Sequence, residues 1–347
     1  MPVHVTLGRL DADRTFAVSR FAIPELSDLP AMSLVAEALK RAIDERNGHL
    51  VLGPKGVGKS LALQAAVEQF EVEDQHLLAL HPEGHRPRRL LVVRSVKARR
   101  PRDVLLYLLK AALPPGAVFK DRRGGVRRTD DELRDELVAL LLKYRIVAVV
   151  VDEAELLSAA ALRELRTLMS KAQLADPERR GERGDPRGDA AAVTGPNGGT
   201  RVIRAAGVGV VLVGTEAVRR AVLATDEAGG RWASELRVAP LSPDQVADLY
   251  PRLFPGFATH IARVGRQAWK QFVADHVTKG RALPMRAVEN HARRYFACLF
   301  DAYHEDGRTL PPSDAVPFEE SIFLYALTVT DFAVGLTPLG GPRRRGA

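Results

Sequence analysis

Eight residues, Gly53-Pro54-Lys55-Gly56-Val57-Gly58-Lys59-Ser60, constrain this chain more than any other stretch. They fit G-x-x-x-x-G-K-S/T, a spacing that lets a glycine-rich backbone curl so that successive N–H groups point at phosphate oxygens. A helix must follow, because its positive end completes the cradle. The flanks agree. His49–Leu52 reads as a short strand entering the loop, and Leu61–Phe70 (LALQAAVEQF) is rich in helix formers. Gly53, Pro54, Lys55, Gly56, Val57, Gly58, Lys59, Ser60 and Leu61 are therefore the expected phosphate cradle. Lys59 would reach the β- and γ-phosphates, and the Ser60 hydroxyl would ligate Mg2+. The pattern implies a bound nucleotide.

A second motif stands downstream. Ile146–Val151 is a run of six apolar, mostly β-branched residues ending in Asp152-Glu153. Such a run suits a central parallel strand buried on both faces. Asp152 occupies the place of the Mg2+-organising Walker B carboxylate, and Glu153 the place of the acid that polarises an attacking water.

Charge points to a partner. The chain carries +8 overall, but residues 86–128 hold fourteen Lys/Arg against two acids, so that segment is +12 and the remainder −4. A basic segment on an otherwise slightly acidic protein is the footprint of a polyanion. A solvated basic face is the plainer reading of the same composition. The most basic turn is Lys97-Ala98-Arg99-Arg100-Pro101-Arg102. No run of eighteen apolar residues and no signal-like N-terminus is present, so a cytoplasmic protein without a membrane span is expected. The one cysteine, Cys298, excludes an intramolecular disulfide and reads as a buried small hydrophobe.

The rest of the chain divides by pattern. Residues 1–30 read as an N-terminal arm, 31–241 as an α/β core, 242–304 as a small all-helical lid, and 305–347 as a last helix with a basic tail. A helix should begin near Ser33, and Leu90–Val93 should be a second buried strand. Asp103–Ala112 should form an amphipathic helix stopped by Pro114-Pro115, and residues 116–129 an exposed basic loop. Thr129 and Glu132 predict a capping box for a helix over Asp130–Lys143, and Leu156–Leu174 should be helical. Residues 176–200, rich in Gly, Pro and paired charges, read as a mobile insertion. Val208–Thr215 reads as another buried strand and Leu236–Ala239 as a short edge strand.

The order of these features resembles that of an AAA+ ATPase: P-loop, buried strand, basic turn, helix, the Walker B wording VVVDEAELL, LVGTEA, then a helical lid. Within that superfamily the chain is similar to the transposon target-selection ATPases of the TnsC/TniB group, with MuB more distant. The resemblance covers roughly residues 30–300. It implies an α/β fold with a parallel sheet flanked by helices plus a lid. It also implies ATP and Mg2+ as ligands, and a ring or helical filament of identical protomers on double-stranded DNA. Such an assembly marks target DNA and recruits a transposase and a targeting factor, and hydrolysis disassembles it.

The resemblance also assigns residues. Thr215, at the tip of its strand, would be the sensor of the γ-phosphate, and Arg286 would be a second sensor reaching from the lid. Arg231 would be the arginine supplied to a neighbour's nucleotide, although Arg231-Trp232 departs from the usual Arg-Phe. Lys97, Arg99, Arg100 and Arg102 would face the DNA. Two other readings stay open: an initiator or helicase-loader ATPase, and a nucleotide-switched signalling or defence ATPase that never touches nucleic acid.

Overall fold

The computed structural model describes residues 30–83, 87–94, 97–114, 116–119, 122–123, 126–175, 192–194, 200–202, 207–225, 232–253, 255–307 and 318–329. The chain separates into two compact units. One comprises Pro30–Gly53 and Lys59–Val238; the other joins Pro54–Gly58 to the segments after Val238.

The first unit is built on five strands: β1 (Gly48–Leu52), β2 (Arg89–Arg94), β3 (Ile146–Asp152), β4 (Gly209–Gly214) and β5 (Trp232–Arg237). They form one parallel sheet in the order β2-β3-β4-β1-β5. Strand periodicity sorts the side chains. Leu50, Leu52, Leu91, Val93, Val149, Val151, Val210 and Leu212 share one face and pack on α3 (Pro101–Ala112), α4 (Asp130–Lys143) and α5 (Ala159–Ala175). The alternate residues Val51, Val150, Val211 and Val213 turn to the other face, where α1 (Pro30–Glu45) and α2 (Lys59–Leu80) pack. The three central strands are buried along their whole length, as their largely apolar sequences require; His49 and Asp152 are the polar residues buried with them.

Local signals set the helix ends. Thr129 Oγ1 accepts from the Glu132 N–H at 3.2 Å, and Glu132 Oε2 accepts from the Thr129 N–H at 2.7 Å. This closes the expected capping box, and α4 spans the predicted residues. Pro101 sits at the first turn of α3, where a missing N–H costs nothing. The helix after the P-loop runs ten residues past Phe70, to Leu80. The stretch EVEDQHLLAL holds no breaker, and Asp74, buried in it, accepts from Arg88 Nε at 2.8 Å. Within the expected basic loop, Arg122–Arg123 pairs antiparallel with Val126–Arg127. Most of the interval 176–200 lies outside the described residues; Ala192–Thr194 pairs with Thr200–Val202. The edge strand begins at Trp232, four residues before the expected Leu236.

The second unit is helical: α7 (Pro243–Leu253), α8 (Pro255–Val264), α9 (Arg266–Phe272, continued by a π-turn over Val273–Thr278), α10 (Met285–Glu305) and α11 (Glu320–Val329). The helix of the first unit between β4 and β5, Glu216–Thr225, is α6. Tyr250, Phe257, Trp269, Tyr295 and Phe323 make an aromatic core, with Tyr250 and Phe257 centroids 5.3 Å apart and Phe257 and Phe323 5.6 Å apart. Its polar atoms are satisfied. His291 Nε2 faces the Phe323 carbonyl at 3.2 Å, which can only accept, so that nitrogen carries the proton. Nδ1 then accepts from the Tyr250 hydroxyl at 2.6 Å. Cys298, expected buried, is half-buried on α10. Among the described residues, no helix is long and apolar enough to cross a membrane.

Candidate functional site

Register brings the motifs to one edge. Leu52 pairs with Gly214, Val151 with Leu212, and Asp152 with Val213. The P-loop, the tip carrying Thr215 and the acids Asp152-Glu153 therefore leave the C-terminal ends of three adjacent parallel strands. Ligands of open α/β sheets bind at that edge. A backbone bond fixes the entry to the loop: the Gly53 N–H donates to Gly214 O at 3.1 Å.

Lys59 is nearly buried and its Nζ donates to Gly53 O at 2.8 Å, so the ammonium is held across the loop. Ser60 is exposed on the first turn of α2. Gly56 and Gly58 have φ of +81° and +96°, a region L side chains rarely enter. The Arg286 N–H donates to Gly56 O at 2.9 Å, and a Cβ on Gly56 would lie 3.1 Å from Arg286 Cβ. Arg286 itself is exposed at the start of α10.

Asp152 is buried, 3% exposed, and its Oδ1 accepts from the Glu153 N–H at 2.9 Å. Glu153 is exposed and holds a left-handed conformation, φ 55° and ψ 41°. That backbone is uncommon for a residue with a side chain and is retained mainly where surroundings enforce it. Here a 3-10 turn, Ala154–Leu156, begins at once, and the Leu156 N–H donates to Glu153 O at 3.0 Å.

Two further residues shape this region without a mark in the sequence reading. Glu155 Oε2 accepts from the Thr215 N–H at 3.3 Å, and a Cβ on Gly214 would lie 2.5 Å from that oxygen. The strand tip ends in glycine to admit the carboxylate. Nothing in the sequence marks Glu155, because its partner is 60 residues away. Ser158 is the second. The helix expected from Leu156 begins instead at Ala159, after the 3-10 turn, and Ser158 precedes it as a cap. A serine just before an apolar-periodic run is the signal that could have found it. Its hydroxyl accepts from the Ala161 N–H at 3.2 Å and donates to Arg99 O at 2.8 Å.

The basic turn is rigid at its backbone. Ala98 O accepts from the Ser158 N–H at 3.1 Å and Arg100 O from the Asp103 N–H at 3.1 Å. The Arg100 N–H donates to Asp103 Oδ2 at 3.1 Å, and Ala98 is buried beneath. Lys97, Arg99 and Arg100 are exposed around this frame. Arg102 differs from the group assigned from sequence. It is half-buried, and its Nη1 donates to Asp130 Oδ1 at 2.8 Å and Arg128 O at 2.7 Å. It fastens α3 to the start of α4. Arg231, the expected trans-acting arginine, lies outside the described residues.

Fold and motifs together define the class: an AAA+ P-loop fold, with a five-stranded parallel sheet flanked by helices. Residues 43–177 match the family described as AAA domain. Among solved structures, the chain is similar to the ORC2 protein of Aeropyrum pernix in its ADP form, at 14% identity and a TM-score of 0.47, covering 86% of this chain and 67% of that one. It is likewise similar to Cdc6p of Pyrobaculum aerophilum, at 16% identity and a TM-score of 0.45, over 86% and 67% of the two chains. A Walker-type ATPase of Pyrococcus abyssi gives 16% and 0.45, over 80% and 69%. These are likenesses of chain path. A search of curated proteins gave no significant match.

Proposed function

We propose that this AAA+ protein binds and hydrolyses ATP, assembles through it into a ring or helical filament on duplex DNA, and in that state marks target DNA for a transposase and its targeting factor. The observation that carries the DNA part is the turn Lys97–Arg100. Three exposed cations stand on a backbone whose carbonyls at Ala98, Arg99 and Arg100 are all bonded. Such a frame presents positive charge without a backbone ordering cost at the moment of binding. Contacts of this kind go to phosphates and do not read sequence, with a Kd of about 10⁻⁴–10⁻⁶ M for a single protein at physiological salt. Linking protomers along the lattice supplies the remaining affinity.

The residues present suit a nucleotide with Mg2+. The positive φ of Gly56 and Gly58 turns the loop backbone as a phosphate cradle needs, and the buried Asp152 carboxylate is the donor type that holds a hard cation. Ser60 and Asp152 would hold Mg2+, which offsets phosphate charge when bound. Lys59 would orient the terminal phosphates. Glu153 would accept the proton of water as its oxygen bonds to the γ-phosphorus and the bond to ADP breaks. Thr215 and Arg286 would report the presence of that phosphate. A neighbouring protomer would complete the site, with Arg231 as its candidate.

Electron microscopy of the protein with duplex DNA, with and without a non-hydrolysable ATP analogue, tests the proposal. Nucleotide-dependent rings or filaments on DNA are expected. Discrete oligomers indifferent to DNA would instead favour the signalling or defence reading.

A further inference from the structure

Ser158 joins the basic turn to the acids of Walker B. Its N–H donates to Ala98 O at 3.1 Å and its hydroxyl to Arg99 O at 2.8 Å, so two consecutive carbonyls of the turn end on one residue. On its other side the chain runs back to Glu153 through a single 3-10 turn. That turn is closed by Leu156 N–H to Glu153 O at 3.0 Å and Leu157 N–H to Ala154 O at 3.1 Å. Ala154 and Leu157 are buried, which leaves the connection little slack. The same turn carries Glu155, whose carboxylate holds the Thr215 N–H.

We propose that Ser158 is a positioning residue that couples occupancy of the basic turn to hydrolysis at Glu153. The inference rests on the reading of Lys97, Arg99 and Arg100 as a polyanion contact. With Ala98 buried and the turn's carbonyls bonded, a polyanion acting on these side chains cannot be accommodated by bending within the turn. The displacement passes to Ser158 through the carbonyl of Arg99, itself one of the cation carriers. From Ser158 it reaches Glu153, whose left-handed backbone persists only while its surroundings hold it. Both ends therefore meet on one element, the segment Glu153–Ser158, the route by which coupling would run.

The test is steady-state ATP turnover of the full chain, with and without a mixed-sequence duplex, alongside DNA affinity. Three variants separate the roles of the hydroxyl. Ser158→Thr can both donate and accept. Ser158→Asp still caps α5 but cannot donate to Arg99 O. Ser158→Ala does neither. DNA stimulation of turnover should fall roughly tenfold in the Asp and Ala variants, survive in the Thr variant, and leave DNA-free turnover within about twofold of the parent. Full stimulation in Ser158→Asp overturns the inference. So does an equal loss of turnover with and without DNA, which would make Ser158 a structural support only. A parent protein that binds no DNA overturns the polyanion reading itself, which the affinity arm detects separately.

Discussion

The main-chain N–H of Arg286 donates to the carbonyl of Gly56 at 2.9 Å. The first turn of α10 thus grips the phosphate loop at a position where φ is +81°, and the gap between Gly56 and Arg286 has no room for a methyl group without movement. Pro284, Met285 and Arg286 lie over Gly56 and Gly58, so the loop is shaped by its own glycines and by residues some 230 positions later.

That contact makes Gly56→Ala a sharp test. The substitution forces a side chain into the left-handed region and against Arg286 Cβ, with a cost of about 1–3 kcal/mol. Weaker nucleotide binding, roughly tenfold or more in a fluorescent-analogue titration, is expected together with a lower melting temperature. Unaltered binding and melting would show that the loop is not held as described.

Lys59→Ala and Glu153→Gln should part ways. The first removes the ammonium that lies across the loop and should weaken ATP binding by about 10–100-fold, and assembly with it. The second should bind ATP normally and lose turnover by roughly 10²–10⁴-fold, trapping the assembled state. ATP-dependent oligomers retained by Lys59→Ala, or ordinary turnover in Glu153→Gln, would each remove the assigned role.

Neutralising Lys97, Arg99 and Arg100 together should weaken binding to all duplex sequences alike. The slope of log affinity against log salt should fall by about 0.9 for each phosphate that the variant no longer neutralises. Arg102→Ala should behave differently. Its guanidinium is committed to Asp130 and the Arg128 carbonyl, so thermal stability should drop before the salt slope does. An unchanged slope after triple neutralisation would move the DNA interface elsewhere.

His291 gives the helical unit a pH dependence. Burial pushes it from 6.5 down to about 4, so the folded chain keeps it neutral where the unfolded chain would protonate it. Its contribution is constant above about pH 6.5 and is lost as pH falls toward about 4, by at most about 3 kcal/mol. Denaturant unfolding at pH 7.5 and pH 5 should show this loss, and His291→Gln should flatten the difference attributable to this site. A parent whose unfolding is insensitive over that range would contradict a buried neutral imidazole.

Arg134 and Glu164 supply a stability test away from the nucleotide. Arg134 Nε and Nη2 donate to the two oxygens of the buried Glu164 at 2.5 and 2.9 Å. Arg134→Ala leaves that carboxylate buried without its partner, and unfolding should shift by about 3–5 kcal/mol. Glu164→Leu combined with Arg134→Met should recover most of the loss.

The sequence by itself determined whatever is local. The P-loop spacing, the β-branched run before Asp152-Glu153 and the Thr129–Glu132 box each carry their signal within a few residues, and hydrophobic period and turn chemistry suffice to read them. The full length of α2 is not local in this sense. Most of its second half is exposed, Val72 and Leu80 included, and the ion pair of Asp74 with Arg88 that anchors it is made across a loop. Only the tertiary structure decided what depends on register between distant strands and helices. The bond from Thr215 to Glu155 and the commitment of Arg102 to α4 are of this kind, as are the clasp of Arg286 on Gly56 and the fastening of the basic turn by Ser158. In each the partners lie tens to hundreds of residues apart. No pattern along the chain encodes a hydrogen bond that exists only once the sheet has set the C-terminal ends of β1, β4 and β3 side by side.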